Sequence, residues 1–314
     1  MIKMQMLKTD VFESVLYAVP HRIAAVLRRM PEDIRAKTDE IRLRAGKPLC
    51  LTVRGRPLFV TQSGAVAEVP SKDGVVLSET DISECIRLMC NNSVYAHAAE
   101  INNGYIALRH GHRAGVAGNF SGENVYEFSS VNIRLARQIT GAADFLRNMP
   151  VMKGVLIAGA PGTGKTTVLR DLIRAVSSGE VSEPRRVSVI DTRGELSAVS
   201  GGVPALDLGA NTDVLFGIDK PRGIELALRA LNPEIIAFDE IGTPEELAAV
   251  RKSLNGGAAV FTTAHIGALD DLSRRGVAAE LIKGGFVGTV AVLSGRDYSD
   301  KKVYKAKELL KWIF

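Results

Sequence analysis

Residues 159–166, Gly159-Ala160-Pro161-Gly162-Thr163-Gly164-Lys165-Thr166, match the pattern GxxxxGK[ST], and Thr167 follows them. Glycines in such a run let successive backbone N–H groups curl around a phosphate, and the helix that follows adds positive potential at its first turn. Lys165 would reach the β- and γ-phosphates, and the Thr166 hydroxyl would be a ligand for Mg²⁺. The motif needs an apolar strand before it and a helix after it, and Val155 to Ala158 and Lys165 to Val176 read that way. These residues are therefore expected to form a P-loop in which Gly159, Ala160, Pro161, Gly162, Thr163, Gly164, Lys165, Thr166 and Thr167 hold a nucleotide. ATP and Mg²⁺ are the expected cofactors.

A second apolar run, Ile235 to Phe238, ends in Asp239 and Glu240. Its distance from the P-loop leaves room for an intervening strand and the helices needed to bring its carboxyl end beside the phosphates, where α/β folds bind ligands. Asp239 would hold Mg²⁺ through water, and Glu240 would orient and polarise an attacking water. That pair favours a hydrolase over a passive nucleotide-binding scaffold. The next strand closes on Thr262-Thr263-Ala264-His265, preceded by Gly256-Gly257, and places His265 at the same sheet edge as a candidate sensor of the terminal phosphate. Asp191 and Glu195 follow the run Val187 to Ile190, where an acid could position water or the metal, or simply face solvent in a loop.

The elements that must carry these residues alternate between apolar strands and helices from Val155 to Thr263, a pattern expected of a parallel sheet covered on both faces. Before it the chain is different. Residues 11–30 have helical spacing broken at Pro20 and Pro31, Asp39 to Val60 forms short β-rich runs turning at Arg54-Gly55, and a helix is expected over 80–91. Gly104 to Arg109, Ala114 to Gly118 and Val125 to Phe128 alternate like strands. The fold class expected is α/β, a RecA-like P-loop core over residues 150–314 preceded by a smaller α+β domain over residues 1–149. Lys301 to Phe314 reads as a Lys-rich amphipathic helix docked on its own domain.

Composition narrows the function. The 314 residues suffice for two cores. Aromatics are 5% against 30 glycines, which disfavours a base-stacking platform and suits a site of backbone and charge. The net charge of +5 lies mostly in the first half and requires no polyanionic partner. Cys50, Cys85 and Cys90 lack CxxC spacing, so neither a disulfide framework nor a zinc site is expected. Residues 1–10 lack the apolar core of a signal peptide and no run approaches a membrane span, so the expectation is a soluble, cytoplasmic protein.

With Val187 to Glu195, Ile235 to Gly242 and Thr262 to His265, the second half resembles the secretion ATPases of type II and type IV systems and of pilus motors, which are hexameric RecA-like ATPases. Glu40-Ile-Arg-Leu-Arg44-Ala-Gly-Lys-Pro48, Gly111-His-Arg-Ala-Gly115 and Val131-Asn-Ile-Arg-Leu-Ala-Arg137 are similar, more narrowly, to the stage III sporulation protein AA family. The likeness extends from about Asp39 to Ser294, with Thr192 standing where the acidic box of the secretion ATPases carries Glu. The resemblance implies ATP hydrolysis, a homo-hexamer, and membrane proteins of a sporulation channel as partners. The implied location is the mother-cell cytoplasmic face of the membrane around the forespore, without an integral segment. It further implies that arginines of the first domain reach the nucleotide, with Arg113 and Arg134 as candidates and Arg137 as a third. A RecA-like nucleic-acid motor is the rival reading, although no aromatic-interleaved basic segment supports it. A nucleotide-dependent structural ring with low turnover is another.

Overall fold

Along Thr38–Arg44 (β1) the side chains alternate between two environments: Ile41 and Leu43 are fully buried, whereas Arg42 and Arg44 lie on the opposite, polar face. That alternation is the mark of a sheet with one face on a core. The computed structural model describes residues 11–121, 124–199, 202–255, 257–266, 276–295 and 300–313. Residues 1–10, Gly256 and Phe314, all named above, lie outside them.

Two units are present, one ending at Arg137 and the other beginning at Gln138. The division precedes the Pro150 boundary read from the sequence. Ala142, Ala143, Leu146 and Val151 are buried in a core cluster of the second unit, and the Ala143 N–H donates to the buried Asp171 carboxylate at 2.9 Å.

The first unit holds an antiparallel sheet of β1, β2 (Cys50–Val53), β3 (Arg56–Val60), β4 (Val66–Ala67), β5 (Tyr105–Ala107), β6 (Arg113–Ser121) and β7 (Asn124–Arg134), in the order β4-β3-β2-β1-β7-β6-β5. Arg54 and Gly55 both have positive φ, 49° and 76°, the conformation of a tight two-residue hairpin whose twist matches its strands. Helices α1 (His21–Arg28) and α3 (Glu79–Met89) contribute Ile23, Leu27, Ile82 and Ile86 to the core that covers the sheet's apolar face. Ser78 caps α3 in a reciprocal box with Asp81, so this helix starts slightly before the expected Thr80. Helices α2 (Glu32–Lys37) and α4 (Ala98–Asn102) are short. The sequence reading ended the last strand at Phe128, but β7 continues through Val131 and Ile133, both buried opposite β1.

The second unit is a doubly covered sheet of β8 (Val155–Gly159), β9 (Val187–Asp191), β10 (Thr212–Phe216), β11 (Ile235–Phe238), β12 (Ala259–His265), β13 (Thr289–Ser294) and β14 (Asp300–Lys305). Their order is β10-β9-β11-β12-β8-β13-β14, and every pairing is parallel except β13 with β14. Strands β8, β9 and β11 are buried along their whole length. Helices α5 (Lys165–Ser177), α6 (Lys220–Ala230), α7 (Pro244–Asn255), α8 (Gly276–Lys283) and α9 (Ala306–Ile313) complete the unit. The α/β class and P-loop architecture expected from the sequence are those observed. One element is corrected: the C-terminal segment is not a single helix, because Asp300 to Lys305 pairs with β13 before α9 begins. Ala306, Leu309 and Ile313 of α9 are buried in the unit's own core.

Candidate nucleotide-binding site

Strand β8 delivers the chain to Gly159, where a Cβ would lie 2.6 Å from Thr163 Oγ1 and 2.7 Å from the Leu293 carbonyl, so only glycine fits. Gly162 and Gly164 then take φ of 77° and 88°, and the loop curls into the first turn of α5. The Thr163 hydroxyl and Lys165 Nζ each donate to the Ala160 carbonyl at 2.9 Å, closing the loop on itself. Lys165 is buried, which pushes its pKa down, while the Asp239 and Glu240 carboxylates push it back up.

Register places the remaining groups. Strand β12 runs parallel to β8 with His265 opposite Gly159, so His265 Nδ1 stands 3.2 Å from Lys165 Nζ. Thr166 Oγ1 donates to Asp239 Oδ2 at 2.7 Å, and Thr263 Oγ1 donates to Asp239 Oδ1 at 2.5 Å. The Glu240 N–H donates to that same Thr263 hydroxyl at 2.9 Å. Glu240 itself has φ of 52°, an uncommon backbone state for a residue with a side chain, and its Oε1 lies 3.4 Å from His265 Nε2. Such outliers gather where the surroundings over-determine a functional geometry. A cavity of about 380 Å³ is lined by the P-loop, Glu195, Asp239, Glu240, Thr263 and His265.

The donor set suits Mg²⁺. Among the described residues no group of three or more His, Cys, Asp or Glu could hold a metal. A hydroxyl and a carboxylate already 2.7 Å apart match the way Mg²⁺ is held by few protein oxygens together with substrate phosphates and water.

Asp191 does local work. It is buried, and its carboxylate accepts the N–H groups of Glu195 at 2.9 Å, Leu196 at 3.2 Å and Ser197 at 2.7 Å, besides the Ser197 hydroxyl at 2.5 Å. Those bonds fix the loop that brings Glu195 to the cavity wall. Arg170, one turn into α5, donates to the carbonyls of Leu196 at 2.9 Å and Glu195 at 2.6 Å. Neither Thr263 nor Arg170 was singled out by the sequence reading. Thr263 stood inside a noted motif, but nothing in its type says that its hydroxyl would serve both acids at once.

Arg113 and Arg134 belong to the first unit, where they are direct cross-strand partners on β6 and β7. The Arg113 guanidinium lies 3.8 Å over the Tyr105 ring, and Arg134 Nε is 3.4 Å from Glu40 Oε1. Arg137 donates to the Thr38 carbonyl at 2.6 Å. The structure thus brings Lys165, Thr166, Glu195, Asp239, Glu240 and His265 to one sheet edge, and sets Arg113 beside Arg134 on another sheet.

Comparisons with known proteins agree with this architecture. A family model described as sporulation stage III, protein AA, matches residues 10–305. Stage III sporulation protein AA of Bacillus subtilis (strain 168) is 32% identical over 268 residues, covering 82% of each chain. Among solved structures, the ATPase DotB of Yersinia pseudotuberculosis superposes with a TM-score of 0.59 at 14% identity, over 87% of this chain and 77% of that one. The pilus retraction motor PilT, solved with bound ADP, superposes with a TM-score of 0.54 at 14% identity, over 87% and 82%. At those identities the likeness is one of fold.

Proposed function

The chain belongs to the stage III sporulation protein AA family, and on that premise we propose that it is an Mg²⁺-dependent ATPase that powers or assembles a channel complex during sporulation. The observation that carries the reading is the convergence of Thr166, Asp239 and Glu240 in one hydrogen-bonded cluster at the carboxyl edge of the parallel sheet, to which His265 links Lys165. Thr166 and, through water, Asp239 would hold Mg²⁺, which would supply positive charge to offset that of the phosphates.

The chain's own groups account for the rest. Backbone N–H groups from Gly162 to Thr167 receive the β-phosphate, and Lys165 exchanges its bond to the Ala160 carbonyl for the β- and γ-phosphates. The Glu240 carboxylate accepts a proton from the attacking water and aims its oxygen at the γ-phosphorus. His265, between Lys165 and Glu240, senses whether the terminal phosphate is present. Glu195, which also lines the cavity, helps to order water there. Arg113 and Arg134 are proposed as further cations for the charge that develops in phosphoryl transfer.

The reading extends to assembly and place. The proposed assembly is a homo-hexameric ring attached peripherally, through membrane proteins of the channel, to the cytoplasmic face of the mother-cell membrane around the forespore. Among the described residues no helix is long and apolar enough to cross a membrane. The decisive experiment measures ATP binding and turnover in Lys165→Ala and Glu240→Gln. The first is expected to lose binding; the second is expected to bind ATP and not hydrolyse it. Wild-type turnover in folded Glu240→Gln protein would overturn the reading.

A further inference from the structure

Beside the phosphate cavity, and sharing Asp239 and Glu240 with it, lies a larger one of about 520 Å³ whose lining includes Asp219, Lys220, Thr243 and Glu246. Lys220 is its anomaly. It occupies the first position of α6, directly after the N-cap Asp219, whose side chain accepts the Arg222 N–H at 3.1 Å. A cation there meets the positive end of the helix dipole, an arrangement that costs stability. Only 18% of its side chain is exposed, which adds a desolvation cost.

Two contacts offset those costs, and both lead to the turn that follows β11. Lys220 Nζ donates to the carbonyl oxygen of Glu240 and lies 3.0 Å from Glu246 Oε1. The other oxygen of Glu246 accepts the N–H groups of Gly242 at 2.8 Å and Thr243 at 3.2 Å, while the Thr243 hydroxyl accepts the Glu246 N–H at 3.2 Å. The last bonds form a capping box at the start of α7, foreshadowed in the sequence by Thr243-Pro-Glu-Glu246. Glu240 is therefore gripped at both of its peptide groups, by Thr263 at its N–H and by Lys220 at its carbonyl. A residue held at φ of 52° against its own preference needs such restraint from outside.

We propose that Lys220, braced by Glu246, is a positioning residue: it locks the backbone of Glu240 in the left-handed conformation that directs the Glu240 carboxylate at the attacking water. Lys220 does not line the phosphate cavity, and in this proposal it acts through Glu240. The proposal deepens the ATPase reading and rests on Glu240 as the group that activates water.

Lys220→Met keeps the length and apolar stem of the side chain and removes its donor. Two measurements test it. Amide hydrogen exchange of nucleotide-free protein should show residues 240–246 exchanging at least tenfold faster in Lys220→Met, with α5 and β8 unchanged; this readout needs no turnover. Unchanged exchange across 240–246 overturns the proposal whether or not the protein is an ATPase. In the ATPase assay, kcat should fall by about tenfold to a hundredfold with ATP affinity within about twofold of wild type, since misplacing a catalytic group by about an ångström has that effect. Unchanged kcat in folded Lys220→Met protein that binds ATP normally would overturn the proposal. Inactive wild type, or active Glu240→Gln, would instead sink the ATPase reading.

Discussion

The hydroxyl of Thr263 donates to Asp239 Oδ1 at 2.5 Å while accepting the N–H of Glu240 at 2.9 Å, so one oxygen sets the two neighbouring acids relative to each other. Thr263→Ala leaves a charged acceptor and a backbone donor short of a partner, a loss of about 1.5–3 kcal/mol for bonds to charged groups. We expect kcat to drop by about tenfold to a hundredfold. Thr263→Ser keeps the hydroxyl and should restore most of the rate. Steady-state kinetics of the two variants side by side check this; equal defects in both would assign the effect to the methyl group and packing.

Arg113 and Arg134 face each other across β6 and β7, a like-charge pair that destabilises an antiparallel sheet unless other groups offset it. Tyr105 and Glu40 supply that offset. If these arginines act on the transition state, replacing either by Ala should lower kcat by a factor on the order of 10³ and leave ATP affinity nearly unchanged. Nucleotide titration and single-turnover kinetics separate the two quantities. Normal kcat in both variants, with assembly intact, would remove them from the mechanism.

Ring formation is expected to depend on nucleotide. Mass measurement of the native protein in solution, with and without ATP and Mg²⁺ in the Glu240→Gln background, should show a hexamer with ATP and smaller species without it. A monomer that turns over ATP at full rate would contradict the ring.

His112 makes the first unit sensitive to acid. It is 2% exposed; its Nδ1 accepts the Ala136 N–H at 3.0 Å, which leaves Nε2 to donate to Ser14 Oγ at 2.7 Å. Burial, helped by the charges of His110 and Arg137, lowers its pKa from 6.5 to about 4. The unfolded chain therefore takes up a proton between those values and the folded chain does not. Stability from this group is complete above pH 6.5, falls as pH drops towards 4, and changes no further below it. The total is about 3 kcal/mol at 1.36 kcal/mol per unit. Urea unfolding of the first unit, followed by amide exchange at several pH values, should show this slope in wild type and lose it in His112→Gln.

Much of the site was legible because its chemistry is local. The spacing from Gly159 to Thr166 states its own conformation, and Asp239 and Glu240 close an apolar strand whose end can only lie at the carboxyl edge of a parallel sheet. What escaped detection depends on pairing between distant segments. Val131 to Arg134 carried a motif and was not read as strand, yet its alternation is what docks β7 on β1 and brings Arg134 to Glu40. Strand β14 was hidden inside a run of lysines with helical spacing, where burial of Ala306, Leu309 and Ile313 begins only after the chain has turned. Asp191 was weighed as a ligand for water or metal, and it proved to spend its oxygens on the N–H groups of its own loop.

Strand β14 runs against the direction of its neighbour and shows Lys301, Lys302 and Lys305 along an exposed rim. A parallel sheet that stopped at β13 would leave an apolar, fully parallel edge open to another strand. The reversed, lysine-bearing strand repels its own kind by charge. Pairing of two copies sheet to sheet on that side is thereby disfavoured, because it would bring two rows of lysines together.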